Sequence, residues 1–150
     1  MIEGSCACGS VRFEIEAVRS LTHCHCRTCR KLTGAAFATY AHVEKAKFRW
    51  LGGEKLIRRY ESAPGSFRAF CPKCSSLVPG QAPYLATMSV PAGLLDGDPG
   101  VRPKLHVFAS SRAPWWEIAD HLPRHDTWVP GFEPKPRARR AAPRTGKRPT

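Results

Sequence analysis

Residues 22–30, Thr22-His23-Cys24-His25-Cys26-Arg27-Thr28-Cys29-Arg30, decide how the rest of this chain is read. Three cysteines fall here as Cys-x-Cys-x-x-Cys. Neighbours in Cys-x-Cys close a disulfide only under strain, because disulfide geometry is specific. The stretch is too polar and too rich in cysteine for an ordinary strand, so it reads as a metal-binding loop. Two more pairs lie on either side of it, Cys6-x-Cys8 and Cys71-x-x-Cys74. The total of seven cysteines is odd, so a disulfide framework leaves one over, and metal binding is the better account.

Zinc takes four tetrahedral ligands, and thiolate suits it. A tight turn with two cysteines holds both sulfurs near one point at little entropic cost, and Gly9 and Pro72 suit such turns. Cys6, Cys8, Cys71 and Cys74 would then form a closed, structural four-sulfur site. It would clip the beginning of the chain to its middle, and closing a long loop is where a metal clip gains most. Cys24, Cys26 and Cys29 remain as a second group with an open fourth position, which is how catalytic zinc is built. His23 or His25 in that position would instead make a second structural site, and the spacing alone admits other groupings. Zinc on three thiolates is a weaker Lewis acid than zinc on three neutral histidines. It suits sulfur chemistry better than amide or ester hydrolysis.

Outward from the cysteines, the pattern is of short strands. In residues 10–18, Val11, Phe13 and Ile15 alternate with Arg12, Glu14 and Glu16, the signature of a half-buried strand. Residues 35–43 predict another strand. Residues 48–50 and 55–60 flank Gly52-Gly53 and predict a hairpin. Strands are also expected at 67–70, running into the Cys71 turn, at 84–90 and at 105–108, with a loop over 94–103. A short C-terminal helix is expected to start at Pro114, with Ser110 or Ser111 as its cap, and to stop at Leu122-Pro123.

Fourteen prolines and twelve glycines in 150 residues disfavour long helices, and the length fits one domain. No apolar stretch reaches the ~20 residues of a membrane span. The opening Met-Ile-Glu-Gly-Ser-Cys lacks the basic and then apolar regions of a secretory signal. The expected location is therefore the cytoplasm, where thiols stay reduced. Net charge is +12, but residues 135–150 carry seven of the 24 Lys and Arg and no acid, which leaves 17 basic against 12 acidic before them. The chain is thus read as a zinc-binding domain over 1–133 and a basic, disordered tail over 134–150. Such a tail can bind nucleic-acid phosphates non-specifically. It has no aromatic residue to stack on bases, and a solubilising end is the preferred reading.

Several segments together resemble the glutathione-dependent formaldehyde-activating enzyme family, which includes the centromere protein V relatives. They are Cys6-Ala7-Cys8-Gly9-Ser10-Val11-Arg12-Phe13; Cys24-His25-Cys26-Arg27-Thr28-Cys29-Arg30-Lys31-Leu32-Thr33-Gly34-Ala35; Phe70-Cys71-Pro72-Lys73-Cys74; and Ser110-Ser111-Arg112-Ala113-Pro114-Trp115-Trp116 with Ile118, Asp120 and Leu122-Pro123. The resemblance implies a mainly β, β-tent fold of small antiparallel sheets organised around zinc. It implies two Zn2+ per chain: a structural one on Cys6, Cys8, Cys71 and Cys74, and an exchangeable one on Cys24, Cys26 and Cys29. The activity it implies is that of a carbon–sulfur lyase joining glutathione and formaldehyde to S-hydroxymethylglutathione. Arg27, Arg30 and Lys31 would then attract the carboxylates of glutathione, His25 would shuttle protons or orient the loop, and Trp115 and Trp116 would wall a cleft. One departure stands out: Ser75 occupies a position where the family often has glycine. The competing reading is a non-catalytic zinc module that binds a partner or nucleic acid through its tail.

Overall fold

A computed structural model describes residues 1–63, 66–80 and 86–131. The tail over 134–150, and with it the expected domain boundary, lies outside these residues, as do residues 84 and 85 of the strand expected at 84–90. The chain forms three small sheets. The first holds β1 (Ile2–Ser5), β2 (Arg12–Ile15) and β5 (Phe48–Gly52) in that order, all antiparallel. The second is built from β3 (Ser20–Cys24), β4 (Ala38–Glu44), β9 (Thr87–Pro91) and β10 (Pro103–Val107), in the order β10-β3-β4-β9. The third holds β6 (Arg58–Ala63), β7 (Ser66–Phe70) and β8 (Leu77–Val78). The fold is mainly β, as expected. One pairing is not antiparallel: β10 runs parallel to β3.

The alternation of β2 decides the main core. Val11, Phe13 and Ile15 are fully buried. Phe13 and Ile15 join Val18, Leu21, Ala41, Val43 and Val90 between the first two sheets. Burying a side chain the size of Phe13 contributes about 2–3 kcal/mol. Its ring also stacks on Phe48 at 5.4 Å and meets Trp50 edge-on at 6.2 Å. The two smaller clusters are partly made of cysteine: Cys6 and Cys71 with Val11, Ala69 and Val78, and Cys24 and Cys29 with Ala38 and Val107. In these two clusters cysteine sulfurs take part in the apolar packing.

Three expectations are corrected. Residues 22–30 are not a loop: they finish β3 and enter a seven-residue helix, α1 (Arg27–Thr33). No Ser or Asp caps this helix. The Cys26 Sγ accepts the Cys29 N–H at 3.3 Å instead, and Gly34, at φ 64, closes the far end. The hairpin around Gly52-Gly53 does not form. β5 pairs with β2 and β6 pairs with β7, so long-range partners displace the local one. Gly53 turns the chain from one sheet to the next. The C-terminal helix does not start at Pro114, where the chain makes a turn closed by Trp116 N–H to Ala113 O at 3.0 Å. Ala113 and Ile118 are buried, while Ser110 bonds to Asp126 O and caps nothing. The segment is tied to β10 by its backbone instead, through His106 N–H to Pro123 O and His125 N–H to His106 O.

Gly53 combines two demands that only glycine meets. Its φ is +77, and a Cβ would lie 1.9 Å from the Ser10 carbonyl oxygen. Gly53→Ala should therefore lower stability by about 2–4 kcal/mol. The denaturation midpoint, measured with zinc in excess for both proteins, checks this.

Candidate metal centres

The first cysteine group is built by two turns of similar design. In the turn between β1 and β2, the Cys6 N–H bonds to Val11 O at 3.0 Å, and Gly9, at φ 68, sends its N–H to Cys6 O at 2.8 Å. In the turn between β7 and β8, the Cys71 N–H bonds to Ser76 O at 3.0 Å, and Ser75, at φ 62, sends its N–H to Cys71 O at 2.8 Å. Ser76 joins the two turns, because its hydroxyl accepts the Ala7 N–H at 3.1 Å. The Sγ atoms of Cys6, Cys8, Cys71 and Cys74 lie within 4.8 Å of one another. Cys6 to Cys8 is 3.6 Å and Cys8 to Cys71 is 3.9 Å. A disulfide needs about 2.05 Å, so these are free thiols. Sulfurs ~2.3 Å from a shared tetrahedral zinc sit about 3.8 Å apart, so the group fits that ion.

The electrostatics favour thiolate at Cys8 and Cys74. The Ser76 hydroxyl pushes the Cys74 thiol down to about 5. Ser10 lowers Cys8 in the same way, while burial raises Cys71. The Val11 N–H supports Cys6 Sγ at 3.3 Å.

The second group comes from one short stretch: Cys24 at the end of β3, Cys26 at the helix cap and Cys29 in the first turn of α1. Their Sγ atoms also lie within 4.8 Å of one another, so this group too can hold a metal ion. Cys24 and Cys29 are buried, and Cys26 is half-buried. The Cys24 and Cys29 thiols bond to the Cys26 sulfur and push it down to about 2; the charge of Arg68 on β7 adds to this. Those bonds raise Cys24 in turn. Tyr40 Oη lies 3.5 Å from Cys29 Sγ, and burial, then the Cys29 charge, raises the phenol.

The histidines do not join the sulfurs. His25 is fully buried, and its Nε2 meets His106 Nδ1 at 2.8 Å. His106 Nε2 in turn meets both carboxylate oxygens of Asp120, at 3.0 and 3.1 Å. Burial, then the neighbouring His106, lowers His25 to about 4. His23 bonds to the Thr39 hydroxyl at 2.8 Å. Arg27 and Lys31 are exposed at the helix surface, and Arg30 donates from Nε to His25 O at 3.2 Å. Trp115 and Trp116 are both exposed, at 71% and 40%, so neither anchors the core; Trp116 touches Phe37 at 5.9 Å between ring centres.

A cleft of about 450 Å³ opens beside Cys74 of the first sulfur group and Tyr40, whose hydroxyl reaches Cys29 of the second. Leu32, Thr33 and residues 37–40 form one wall, residues 74–77 another, and Pro91, Gly93 and Leu94 the rest. Tyr40 and Cys74 both line it. Sequence reasoning missed Tyr40, Arg68, His106 and Asp120 as site residues. Only Asp120 carried a signal, as part of the C-terminal segment quoted above.

Among the described residues, three small sheets and two cysteine groups define a mainly β protein with two centres that can each hold a metal. The chain belongs to the glutathione-dependent formaldehyde-activating enzyme family, whose model matches residues 1–111. A Halomonas elongata protein, provisionally named a glutathione-dependent formaldehyde-activating enzyme, is 27% identical over 128 residues, covering 79% of this chain and 81% of the relative. The fold is also that of a Rhodobacter sphaeroides protein of known crystal structure. That match has a TM-score of 0.54 at 23% identity and covers 64% of this chain and 89% of the other.

Ser75 is the departure from the family pattern, and the structure gives it a cost. It sits in the left-handed region, where a side chain costs roughly 1–2 kcal/mol. Ser75→Gly should raise stability by about 0.5–1 kcal/mol after the greater chain entropy of glycine is subtracted. Thermal unfolding of both proteins at equal zinc concentration reads this directly.

Proposed function

We propose that this protein is a cytoplasmic, zinc-dependent carbon–sulfur lyase-type enzyme that makes and breaks the adduct of glutathione with formaldehyde. The observation that carries the reading is the contrast between the two cysteine groups. Cys6, Cys8, Cys71 and Cys74 supply four sulfurs and leave no position for a substrate, so their zinc is structural. Cys24, Cys26 and Cys29 supply three, with Cys26 half-buried. Zinc held there supplies Lewis acidity at an open fourth position.

The protein's own residues then bind and orient. Glutathione carries two carboxylates. Arg27 and Lys31, exposed on α1, attract them, and Arg68 adds positive charge on the β7 side. Tyr40 lines the cleft and holds Cys29 Sγ with its hydroxyl. His25 orients the segment between Cys24 and Cys26 rather than serving as a ligand. In the forward direction the glutathione sulfur adds to the formaldehyde carbon, a C–S bond forms, and the thiol proton ends on the oxygen. The reverse breaks that C–S bond and returns thiol and aldehyde.

Elemental analysis before and after mild chelation tests this. We expect two zinc ions per chain, one of them lost with the fold intact and absent from Cys26→Ser. Formation of S-hydroxymethylglutathione, followed by exchange NMR, should then fall to the uncatalysed rate in that variant. One zinc per chain, or two that leave only on unfolding, would sink the open centre and favour a structural module.

A further inference from the structure

A line of hydrogen bonds enters the protein from its surface and ends at His25, the residue between Cys24 and Cys26 in the sequence. Asp120, with 47% of its side chain exposed, faces His106 Nε2 at 3.0 and 3.1 Å. The Leu122 N–H holds the same carboxylate at 3.0 Å, and Arg124 ties the main chain by donating to Ile118 O and Asp120 O. In a neutral imidazole the nitrogen facing a carboxylate carries the proton, so the other is an acceptor. In that tautomer His106 Nδ1 accepts from His25 Nε2 at 2.8 Å, and the buried His25 Nδ1 is left without a partner among the described residues. His25 is also held by its main chain on both sides: its N–H bonds to Val107 O at 3.0 Å, and its carbonyl accepts from Arg30 Nε at 3.2 Å.

We propose that Asp120 and His106 are positioning residues for the three-sulfur centre: through His25 they fix the Cys24–Cys26 segment and so set how tightly that centre holds its metal. The inference rests on the second metal of the function proposed above. His25 is the single residue between two of the sulfurs, so its conformation sets their separation. Its ring is packed against Phe37 and His106, at 5.2 and 5.0 Å between centres. Without His106 the His25 Nε2–H would be buried and unpaired, and the ring would have to turn to find a partner. An apolar residue at 106 would fill the space equally well, so packing alone does not account for a histidine whose two nitrogens are both engaged. Partners behind metal-binding residues are typically worth about 10–100-fold in affinity. The four-sulfur centre is built by the turns before β2 and after β7 and serves as an internal reference.

The test is competition between a chromophoric chelator and the full-length protein for Zn2+, with Co2+ absorption reporting geometry at each centre. Wild type should take up two ions. In Asp120→Ala and His106→Gln the three-sulfur centre should weaken by about 10–100-fold, with altered thiolate–cobalt bands, while the four-sulfur centre is unchanged. Asp120→Asn keeps an acceptor and should recover most of the affinity. If His106→Gln does not fold, Asp120→Ala, a surface change, still carries the test. Unchanged affinity at the three-sulfur centre overturns the proposal, as does matched weakening at both centres, which marks general loosening. A wild type that takes up one ion overturns the proposed function and this inference together. Two ions in wild type with unchanged variants overturns this inference alone.

Discussion

Four sulfurs that must meet at one point govern this structure. Cys8 and Cys71 stand 63 residues apart, and their Sγ atoms lie 3.9 Å from each other. The turns that carry them belong to different sheets, and no strand pairing joins those sheets among the described residues. What joins them is a small cluster in which Cys6 and Cys71 are as buried as Val11 and Val78. A structural zinc typically binds four thiolates with an apparent ~10–16 kcal/mol. That is of the order of the whole stability of an ordinary domain, about 5–15 kcal/mol. A chain of short strands with cysteines in two of its three core clusters would, with zinc held at the four sulfurs, lean on that ion as a larger domain leans on its apolar interior.

The two centres differ less in chemistry than in what they close. A metal held by the four-sulfur group would shut a long loop, and its release would free two sheets from each other. The three-sulfur group comes from one strand end and one helix turn. Its segment stays anchored by β4 and β10 whether or not a metal is held. That difference in loop length is the physical ground for expecting one ion to stay and the other to exchange. In the first group Cys6 and Cys71 back onto the core, while Cys74 is half-buried beside the cleft and Cys8 is exposed.

Local patterns were legible in the sequence, and long-range ones were not. The cysteine pairs and the alternation of Val11, Phe13 and Ile15 depend only on near neighbours, and the buried face follows from that alternation; the spacing admitted several groupings of the pairs, and the structure brings Cys6 and Cys8 to Cys71 and Cys74. The hairpin at Gly52-Gly53 failed because β2 offered β5 a better partner, with Phe13 opposite Trp50. No local signal carries that information. Residues 22–30 read as a loop because they are polar, yet several of their polar groups find partners in the fold: His23 on Thr39, His25 Nε2 on His106, and the Cys29 N–H on a sulfur cap. The stretch from Pro114 reads as a helix start, with its two tryptophans walling a cleft. The structure leaves both rings exposed and buries the small Ala113 and Ile118 instead.

The parallel pairing of β10 with β3 has a consequence for synthesis. His23 and His106 lie side by side in this register, 83 positions apart along the chain. A ribosome delivers β3 and β4 early, so β3 emerges with one edge bare and keeps it until β10 is made, and an unpaired edge is a template for other chains. The bare edge ends at Cys24, a residue whose sulfur needs only two close neighbours, Cys26 and Cys29, to capture an ion. A metal taken up at that moment would tie the strand end to the helix that follows it, and the nascent chain would wait for its last strand already folded around one of its ions.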